Sequence, residues 1–252
     1  MKKYPVSIQL YSVREEAAHD FVAVLKKIAS FGYVGVEPAG LHGMAPKDVR
    51  KVLDDLGLKV SSMHGALPTP QTVNEIVDTA SALGYTFHVA GYGPDQFGTE
   101  KGALKAAEDF QRAAELLKPH GLRFGFHNHY WEFDHTFNGK TPYQTLLEHA
   151  PDAFSELDTY WCNVGGSDAA SIVRQYGKRL PLLHIKDGPL DRNLPMNAVG
   201  EGKMDWKSVI GAADETTTQW LIVELDRCAT DMLEAVHRSA TYLAKAGFGV
   251  TR

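Results

Sequence analysis

Segments typical of β-strands alternate along the whole chain with segments of helical spacing, and this alternation limits the possible folds more than any other feature. Apolar residues recur at helical intervals between the strands, as in Phe21, Val24, Leu25 and Ile28. Consecutive strands begin roughly 30 residues apart, which leaves room for one crossover helix and not for an inserted domain. The strand candidates lie at residues 6–10, 33–37, 59–64, 86–90, 123–127, 154–158, 182–186 and 220–224.

Eight strand–helix units in 252 residues are what a closed parallel barrel requires. We therefore predict an α/β fold, a single (β/α)8 TIM barrel with one domain over residues 1–252. Thr141 followed by Pro142 predicts a helix start. An open doubly wound sheet is the alternative, but no Gly-x-Gly-x-x-Gly follows an early strand. Glycines that can end helices in the left-handed conformation are Gly32, Gly57, Gly84, Gly121 and Gly177.

Composition excludes several classes of protein. The net charge is −5, and the chain has no run of five like charges, so we expect no nucleic-acid partner. The two cysteines, Cys162 and Cys228, are too few for a disulfide framework. Residues 1–5 lack a signal-peptide pattern, and no stretch of 18 apolar residues occurs. We therefore expect a cytoplasmic protein without a membrane partner, and a homo-oligomer is left open.

Ionisable residues stand where most of the predicted strands end, which in a barrel is the end that carries the active site. A single histidine at such a place is often only a hydrogen-bonded loop residue, so the clustering is what indicates a site. Carboxylates and imidazoles without clustered cysteines suit a divalent cation such as Mn²⁺, Mg²⁺, Co²⁺ or Zn²⁺. The residues are Glu37, His64, His127, His129, Asp158, His184, Lys186, Glu224 and Asp226.

Several segments resemble a known family. They read QLYSVR at 9–14, FHNHYWEF at 126–133, ELDTYW at 156–161, HIKD at 184–187, GEGKMDW at 200–206 and VE at 223–224. In these segments the chain resembles the sugar phosphate isomerase/epimerase family, which has a xylose-isomerase-like TIM barrel. The resemblance spans nearly the whole chain and implies an enzyme of sugar metabolism. It does not define the reaction, because similar proteins include ketose 3-epimerases, hydroxypyruvate isomerases, inosose dehydratases, lyases acting on 3-keto sugars and, more distantly, DNA-repair enzymes of the endonuclease IV type.

The resemblance implies one divalent metal ion, with Mn²⁺ expected and Mg²⁺, Co²⁺ and Zn²⁺ as alternatives. Carried over by motif, its ligands include Asp158, His184 and Glu224. The fourth ligand belongs to the fifth unit, where many relatives have a glutamate at the position of His127. We expect Glu132 to be this ligand, because a third carboxylate balances a hard cation better than a second imidazole does. His127 is the alternative.

Such an ion would bind the carbonyl and an adjacent hydroxyl of a sugar and stabilise the enediolate left when an α proton is removed. The resemblance and this chemistry together assign roles to the remaining residues. His129 or Glu224 would move the proton, and Lys186 would support the oxyanion charge. The opposite wall would be formed by Glu37 and His64, which bind substrate hydroxyls or act as the second acid or base. The residues left for substrate binding are His127, if it is not a ligand, and Trp161, which would stack on the sugar.

The expected function is a divalent-metal-dependent sugar isomerase or epimerase with a carbohydrate substrate. A lyase or dehydratase acting on a keto sugar or 3-keto glycoside by the same first step is the alternative, and the sequence does not divide the two. No set of phosphate-binding arginines stands out, which favours an unphosphorylated sugar. A DNA-repair endonuclease conflicts with the charge, and a non-catalytic binding protein would be free to lose ligands. Residues 187–204 are expected to form a lid or binding loop.

Overall fold

The strands form one parallel sheet that curves into an almost closed barrel. The computed structural model describes residues 2–251, and its strands are β1 (Tyr4–Gln9), β2 (Gly35–Glu37), β3 (Lys59–Val60), β4 (Met63–His64), β5 (Phe87–Ala90), β6 (Arg123–His127), β7 (Phe154–Asp158), β8 (Leu182–Ile185), β9 (Trp220–Val223) and β10 (Gly249–Val250). Their order around the barrel is β3-β2-β1-β9-β8-β7-β6-β5-β4, with β10 beside β1. The predicted TIM-barrel fold is confirmed.

The predicted strand 59–64 is divided into two short strands. β3 pairs with β2, and β4 pairs with β5. Just after β3, the backbone N–H of Ser61 still donates to the carbonyl of Val36 at 3.0 Å, and just after β4 that of Gly65 donates to the carbonyl of Val89 at 2.9 Å. The segment 59–64 therefore stops pairing with β2 and begins to pair with β5. It carries the sheet across the last gap of the barrel, so the wall has nine strands among residues 2–251 where the sequence predicted eight.

Helices cover the outside of the barrel, as the periodicity of apolar residues predicted. None of them within residues 2–251 is both long and apolar enough to cross a membrane. The α-helices are α1 (Arg14–Ser30), α2 (Pro46–Asp55), α3 (Val73–Leu83), α4 (Glu100–Leu117), α5 (Pro142–His149), α6 (Thr159–Val164), α7 (Ala169–Tyr176), α8 (Trp206–Gly211) and α9 (Met232–Lys245).

Helix ends follow the sequence signals with one exception. The side chain of Thr141 accepts a hydrogen bond from the N–H of Gln144, and the Gln144 side chain accepts one from the N–H of Thr141, so α5 begins at Pro142 as predicted. Gly84 ends α3 with φ of 75°, the left-handed conformation that glycine adopts easily. The same expectation is wrong for Gly177, whose φ is −48° because the chain continues from α7 into a 3-10 turn at Gly177–Arg179.

The interior of the barrel changes from apolar to charged along the strands. Side chains alternate along a strand, so Phe154, Glu156 and Asp158 follow one another on one face of β7, and all three are buried. Apolar side chains therefore fill the amino-terminal part of the interior, and ionisable groups occupy the carboxyl-terminal part. The apolar cluster consists of Phe87, Val89, Phe154, Leu182 and Ile222.

One buried carboxylate organises the loop between β8 and α8. Oδ1 of Asp187 accepts hydrogen bonds from the backbone N–H of Gly188 at 2.8 Å and of Met204 at 3.2 Å. Oδ2 accepts from the backbone N–H of Gly200 and from Nε1 of Trp206, both at 2.8 Å. The predicted loop 187–204 is thus folded around a single side chain, which holds its two ends together.

We expect Asp187→Ala to lower the free energy of unfolding by roughly 2–4 kcal/mol, because its four donors lose their acceptor in a buried place. Urea unfolding of the variant and the wild type measures the difference. Asp191→Ala is the matched control, since Asp191 is exposed in the same loop and its side chain accepts a hydrogen bond from the backbone N–H of Asn193. Equal losses of stability in the two variants would contradict the role of Asp187.

Candidate functional site

Four buried side chains converge at the carboxyl ends of neighbouring strands. His127 ends β6, Asp158 ends β7, His184 lies in β8 and Glu224 follows β9. One nitrogen or oxygen atom of each lies within 4.8 Å of those of the other three. The parallel register explains part of this convergence, because Asp158 stands beside His184 in the ladder of β7 and β8. We refer to His127, Asp158, His184 and Glu224 as the mouth cluster.

His184 links the mouth cluster to two deeper carboxylates. Its Nδ1 lies 2.8 Å from Oε2 of Glu224. Its Nε2 lies 3.2 Å from Oε1 of Glu37 and 3.1 Å from Oε2 of Glu156. Burial by itself would lower the pKa of His184, but the negative charges of Glu156 and Glu37 raise it well above its usual value. The positive charge of the His184 ring therefore balances the carboxylate of Glu224 on one side and those of Glu37 and Glu156 on the other.

Lys186 is the counter-ion of three carboxylates. Its Nζ lies 3.0 Å from Oδ2 of Asp158, 2.8 Å from Oε2 of Glu224 and 3.0 Å from Oδ1 of Asp226. Burial would lower the pKa of Lys186, but these three charges raise it well above its usual value. The ammonium group is thus held among protein carboxylates, and Lys186 does not line the cavity in which a substrate would lie.

The mouth cluster has the chemistry of a site for a divalent cation. Apart from its ion pair with Lys186, the buried Oδ2 of Asp158 has no hydrogen-bond partner. Burial raises the pKa of Asp158 to about 6, although the charge of Lys186 opposes this shift. Two imidazoles and two carboxylates, with one donor atom of each within 4.8 Å of the others, form a set of ligands that Zn²⁺ and Mn²⁺ accept. The residues present therefore fit a divalent ion held by His127, Asp158, His184 and Glu224.

Glu132, which the sequence favoured as the fourth ligand, lies outside the mouth cluster. Its Oε2 accepts a hydrogen bond from the backbone N–H of His129 at 2.8 Å. This bond closes the 3-10 turn Tyr130–Glu132 that follows β6, so the carboxylate is turned to the chain's own backbone. His127, the alternative ligand, occupies the corresponding place in the cluster.

A cavity of about 660 Å³ opens over the mouth cluster, within the size range of small-molecule sites. Most of the residues expected to handle substrate line it: His64, His127, His129, Trp161 and Glu224. The sequence did not single out several other residues of the wall, among them Tyr11, Tyr92, Arg192 and Arg227. Tyr11 lies in the quoted segment 9–14 and Arg192 in the predicted binding loop 187–204, but only the closed barrel brings these loops and those of Tyr92 and Arg227 together around one cavity.

Glu37, expected to bind substrate, does not reach this cavity. Its carboxylate is fully buried and accepts hydrogen bonds from Nε2 of Gln9 and Oγ of Ser62. Burial alone would raise the pKa of Glu37, but the charge of His184 and its hydrogen bond lower it to about 2. Glu156, beside it, is the residue that sequence reasoning missed. The available signal was its position two residues before Asp158, on the same face of the strand.

His129 and His64 both lie beside His127 on the cavity wall. The ring centroid of His127 lies 5.0 Å from that of His129 and 5.5 Å from that of His64. His129 stacks on Trp131 with 4.1 Å between ring centroids. Burial and the nearby charge of Lys186 lower the pKa of His129 to about 3. Its imidazole is therefore neutral, and its buried Nδ1 has no hydrogen-bond partner.

Trp161 presents its ring to the cavity and is fixed by a polar contact. Its Nε1 donates a hydrogen bond to Oδ2 of Asp226 at 3.1 Å, and its backbone N–H donates to Oδ1 of Asp158 at 2.8 Å. The second bond places Asp158 as the N-cap of α6. One carboxylate oxygen of Asp158 thus holds the helix that carries Trp161, and the other is left for the mouth cluster.

Comparison with known proteins agrees with this architecture. The sequence model of the family described as "Xylose isomerase-like TIM barrel" matches residues 25–246. A sugar phosphate isomerase/epimerase from Parabacteroides distasonis ATCC 8503 is 27% identical, with 98% of this chain and 96% of that chain covered and a TM-score of 0.81. No curated protein has a matching sequence.

Two more distant solved structures share the fold. The IolI protein, solved with a bound zinc atom, is 15% identical, with 97% of this chain and 98% of that one covered and a TM-score of 0.73. The probable 3-DHS dehydratase AsbF from Bacillus anthracis is 13% identical, with 96% and 99% covered and a TM-score of 0.74. At these identities the likeness concerns the fold alone.

Proposed function

Because the chain belongs to the family of xylose isomerase-like TIM barrels, we propose that it is a sugar isomerase or epimerase that depends on a divalent metal ion. The observation that carries the proposal is the convergence of the mouth cluster beneath a cavity whose wall also holds His64 and His129. A purely structural ion would require the four ligands of the mouth cluster, but it would not require two more histidines on the wall of an adjoining cavity. The similar structure named as a sugar phosphate isomerase/epimerase supports the same substrate class.

His127, Asp158, His184 and Glu224 would hold the ion, so that His127 takes the place for which the sequence favoured Glu132. When bound, a divalent ion polarises a sugar carbonyl and stabilises the negative charge of an enediolate. Mn²⁺ is the expected ion, with Mg²⁺, Co²⁺ and Zn²⁺ as alternatives. The IolI protein, which shares this fold, was solved with a bound zinc atom.

His129 is proposed to remove the proton next to the carbonyl. Its imidazole lines the cavity, and its buried Nδ1 has no hydrogen-bond partner, so the ring is placed to accept a proton from a substrate in the cavity. His64 lines the same cavity and also lies beside His127. It is the proposed donor of the proton that an epimerisation returns to the carbon. Glu224, which also lines the cavity, is the alternative for either step.

The other residues bind or orient. Trp161 offers a ring face on which the apolar side of a sugar can stack, and its hydrogen bond to Asp226 fixes the ring. Lys186 neutralises Asp158, Glu224 and Asp226. It thereby holds these three carboxylates close to one another. Because its ammonium group does not contact the substrate, it would stabilise a substrate oxyanion only through its electric field.

Proton exchange with solvent tests the proposal directly. We expect the metal-loaded protein in D₂O to place deuterium on the carbon next to the carbonyl of an isomerised or epimerised sugar, followed by NMR. The same protein treated with a chelator is the control and should exchange no proton. Failure of exchange with all keto and aldo sugars tried, at full metal occupancy, would contradict the proposal. Appearance of an unsaturated product would instead identify the lyase or dehydratase alternative, which begins with the same step.

A further inference from the structure

We propose that Glu156 is a positioning residue that orients His127 and His184 so that each ring turns one nitrogen toward the carboxylates of the mouth cluster. This inference rests on the proposed function for its metal ion. Glu156 lies on β7, two residues before Asp158, and is fully buried. It does not line the cavity. It therefore acts on the site through other side chains and does not touch a substrate there.

The distances place Glu156 behind both imidazoles. Its Oε2 lies 3.4 Å from Nδ1 of His127 and 3.1 Å from Nε2 of His184. On the far side of the rings, Nε2 of His127 lies 3.8 Å from Oδ2 of Asp158, and Nδ1 of His184 lies 2.8 Å from Oε2 of Glu224. Each ring thus stands between Glu156 and one carboxylate of the mouth cluster.

This arrangement decides which nitrogen of each ring can bind an ion. A carboxylate behind one ring nitrogen keeps the hydrogen on that nitrogen and leaves the lone pair on the opposite one. In His127 the hydrogen would stay on Nδ1, and Nε2 would face Asp158. In His184 both nitrogens face carboxylates and would carry hydrogens in the metal-free protein; the hydrogen on Nε2 would stay when Nδ1, which faces Glu224, serves as the ligand. One carboxylate thus orients both imidazoles of the cluster.

Glu37 cannot replace Glu156 in this role. It contacts His184, but its oxygens already accept hydrogen bonds from Gln9 and Ser62, and the structure shows no ion pair between it and His127. Glu156, in contrast, accepts no hydrogen bond from residues such as Gln9 or Ser62, and its Oε2 contacts Nδ1 of His127 and Nε2 of His184. A buried carboxylate without hydrogen bonds is costly, so its contacts with the two rings are its main compensation. His127 therefore depends on Glu156, whereas His184 has two carboxylates behind it.

Metal affinity gives the first test. Glu156→Gln keeps the shape of the side chain and removes its charge, and we expect the dissociation constant for Zn²⁺ to rise about 10–100-fold, as is usual when a carboxylate behind a histidine ligand is removed. Calorimetric titration should find one ion per chain in both proteins. Glu148→Gln is the matched control, because Glu148 is exposed and pairs with Lys140 at the surface. Its affinity should equal that of the wild type.

The protonation pattern of His127 in the metal-free protein gives a second test that does not depend on metal binding. ¹⁵N NMR reports directly which nitrogen of His127 carries the hydrogen. We expect Nδ1 in the wild type and a shift toward Nε2 in Glu156→Met, which has no acceptor. If one variant fails to fold, the other variant is used for both measurements.

The outcomes separate this inference from the proposed function. If the wild type bound no ion, the metal-dependent function would be wrong, and the NMR result alone would decide the role of Glu156. Unchanged Zn²⁺ affinity together with an unchanged His127 tautomer would overturn the inference. Two ions per wild-type chain, with one of them lost in Glu156→Gln, would also overturn it, because Glu156 would then be a ligand of a second ion with Glu37 and His184.

Discussion

Asp158→Asn is expected to abolish metal binding and turnover together. Asparagine keeps the oxygen that caps α6 through the backbone N–H of Trp161, so the local fold should persist. It replaces Oδ2, which lies 3.8 Å from Nε2 of His127 and 3.0 Å from Nζ of Lys186, by a neutral amide. Changes behind a ligand weaken metal binding by about 10–100-fold, so loss of a ligand charge should weaken it by at least about 100-fold.

Metal content after dialysis and kcat/KM with an identified sugar measure the two effects in this variant. We expect kcat/KM to fall at least about 1,000-fold, since the polarising charge at the carbonyl is lost with the ion. The matched control is Asp168→Asn, which makes the same change at the N-cap of α7 on the surface. A metal-bound Asp158→Asn protein with wild-type turnover would exclude Asp158 as a ligand.

His129→Ala is expected to lower kcat about 10²–10⁴-fold and to leave the metal content intact. This is the usual contribution of a single general base. His129 belongs to the cavity wall and not to the mouth cluster, so its loss should not disturb the ion. In the wild type, burial lowers the pKa of His129 to about 3, so its ring is neutral at pH 7. Raising the pH above 7 should therefore not increase the activity of the wild type through His129.

The rate of α-proton exchange with D₂O at full metal occupancy isolates this step from binding. His120→Ala is the control, since His120 is an exposed histidine in a 3-10 turn on the outside of the barrel. Unchanged exchange in His129→Ala would transfer the role of base to Glu224 or His64. The double variant His129→Ala/His64→Ala would then separate these two. Exchange that persists without both histidines would leave Glu224 as the base, and exchange that is lost would identify His64.

Much of the architecture follows from local features of the sequence. Alternation of strand and helical segments predicts the barrel, because parallel neighbours must be joined by crossover helices of about this length. The same argument places Asp158, His184 and Glu224 at one end, since residues at the ends of parallel strands meet at one mouth. The signal at Thr141 and Pro142 predicts the start of α5 in the same way, because helix capping depends on neighbours in sequence.

Other features were decided by the tertiary structure. The direction of Glu132 depends on how the chain turns after β6, and there a backbone N–H competes for the carboxylate. The depth of Glu37 depends on the register between β1 and β2, which puts it beside Gln9 in the ladder.

The role proposed for Glu156 arises only where three strands bring two histidines against one carboxylate. Alternation along a strand determines which face a residue occupies, and the sequence therefore specified the candidates for the site. How deep a side chain lies in the barrel, and which hydrogen-bond donors surround it, depend on contacts between segments that are distant in sequence. Only the folded chain therefore determined which candidates line the cavity, which contact one another and which are hydrogen-bonded to the backbone.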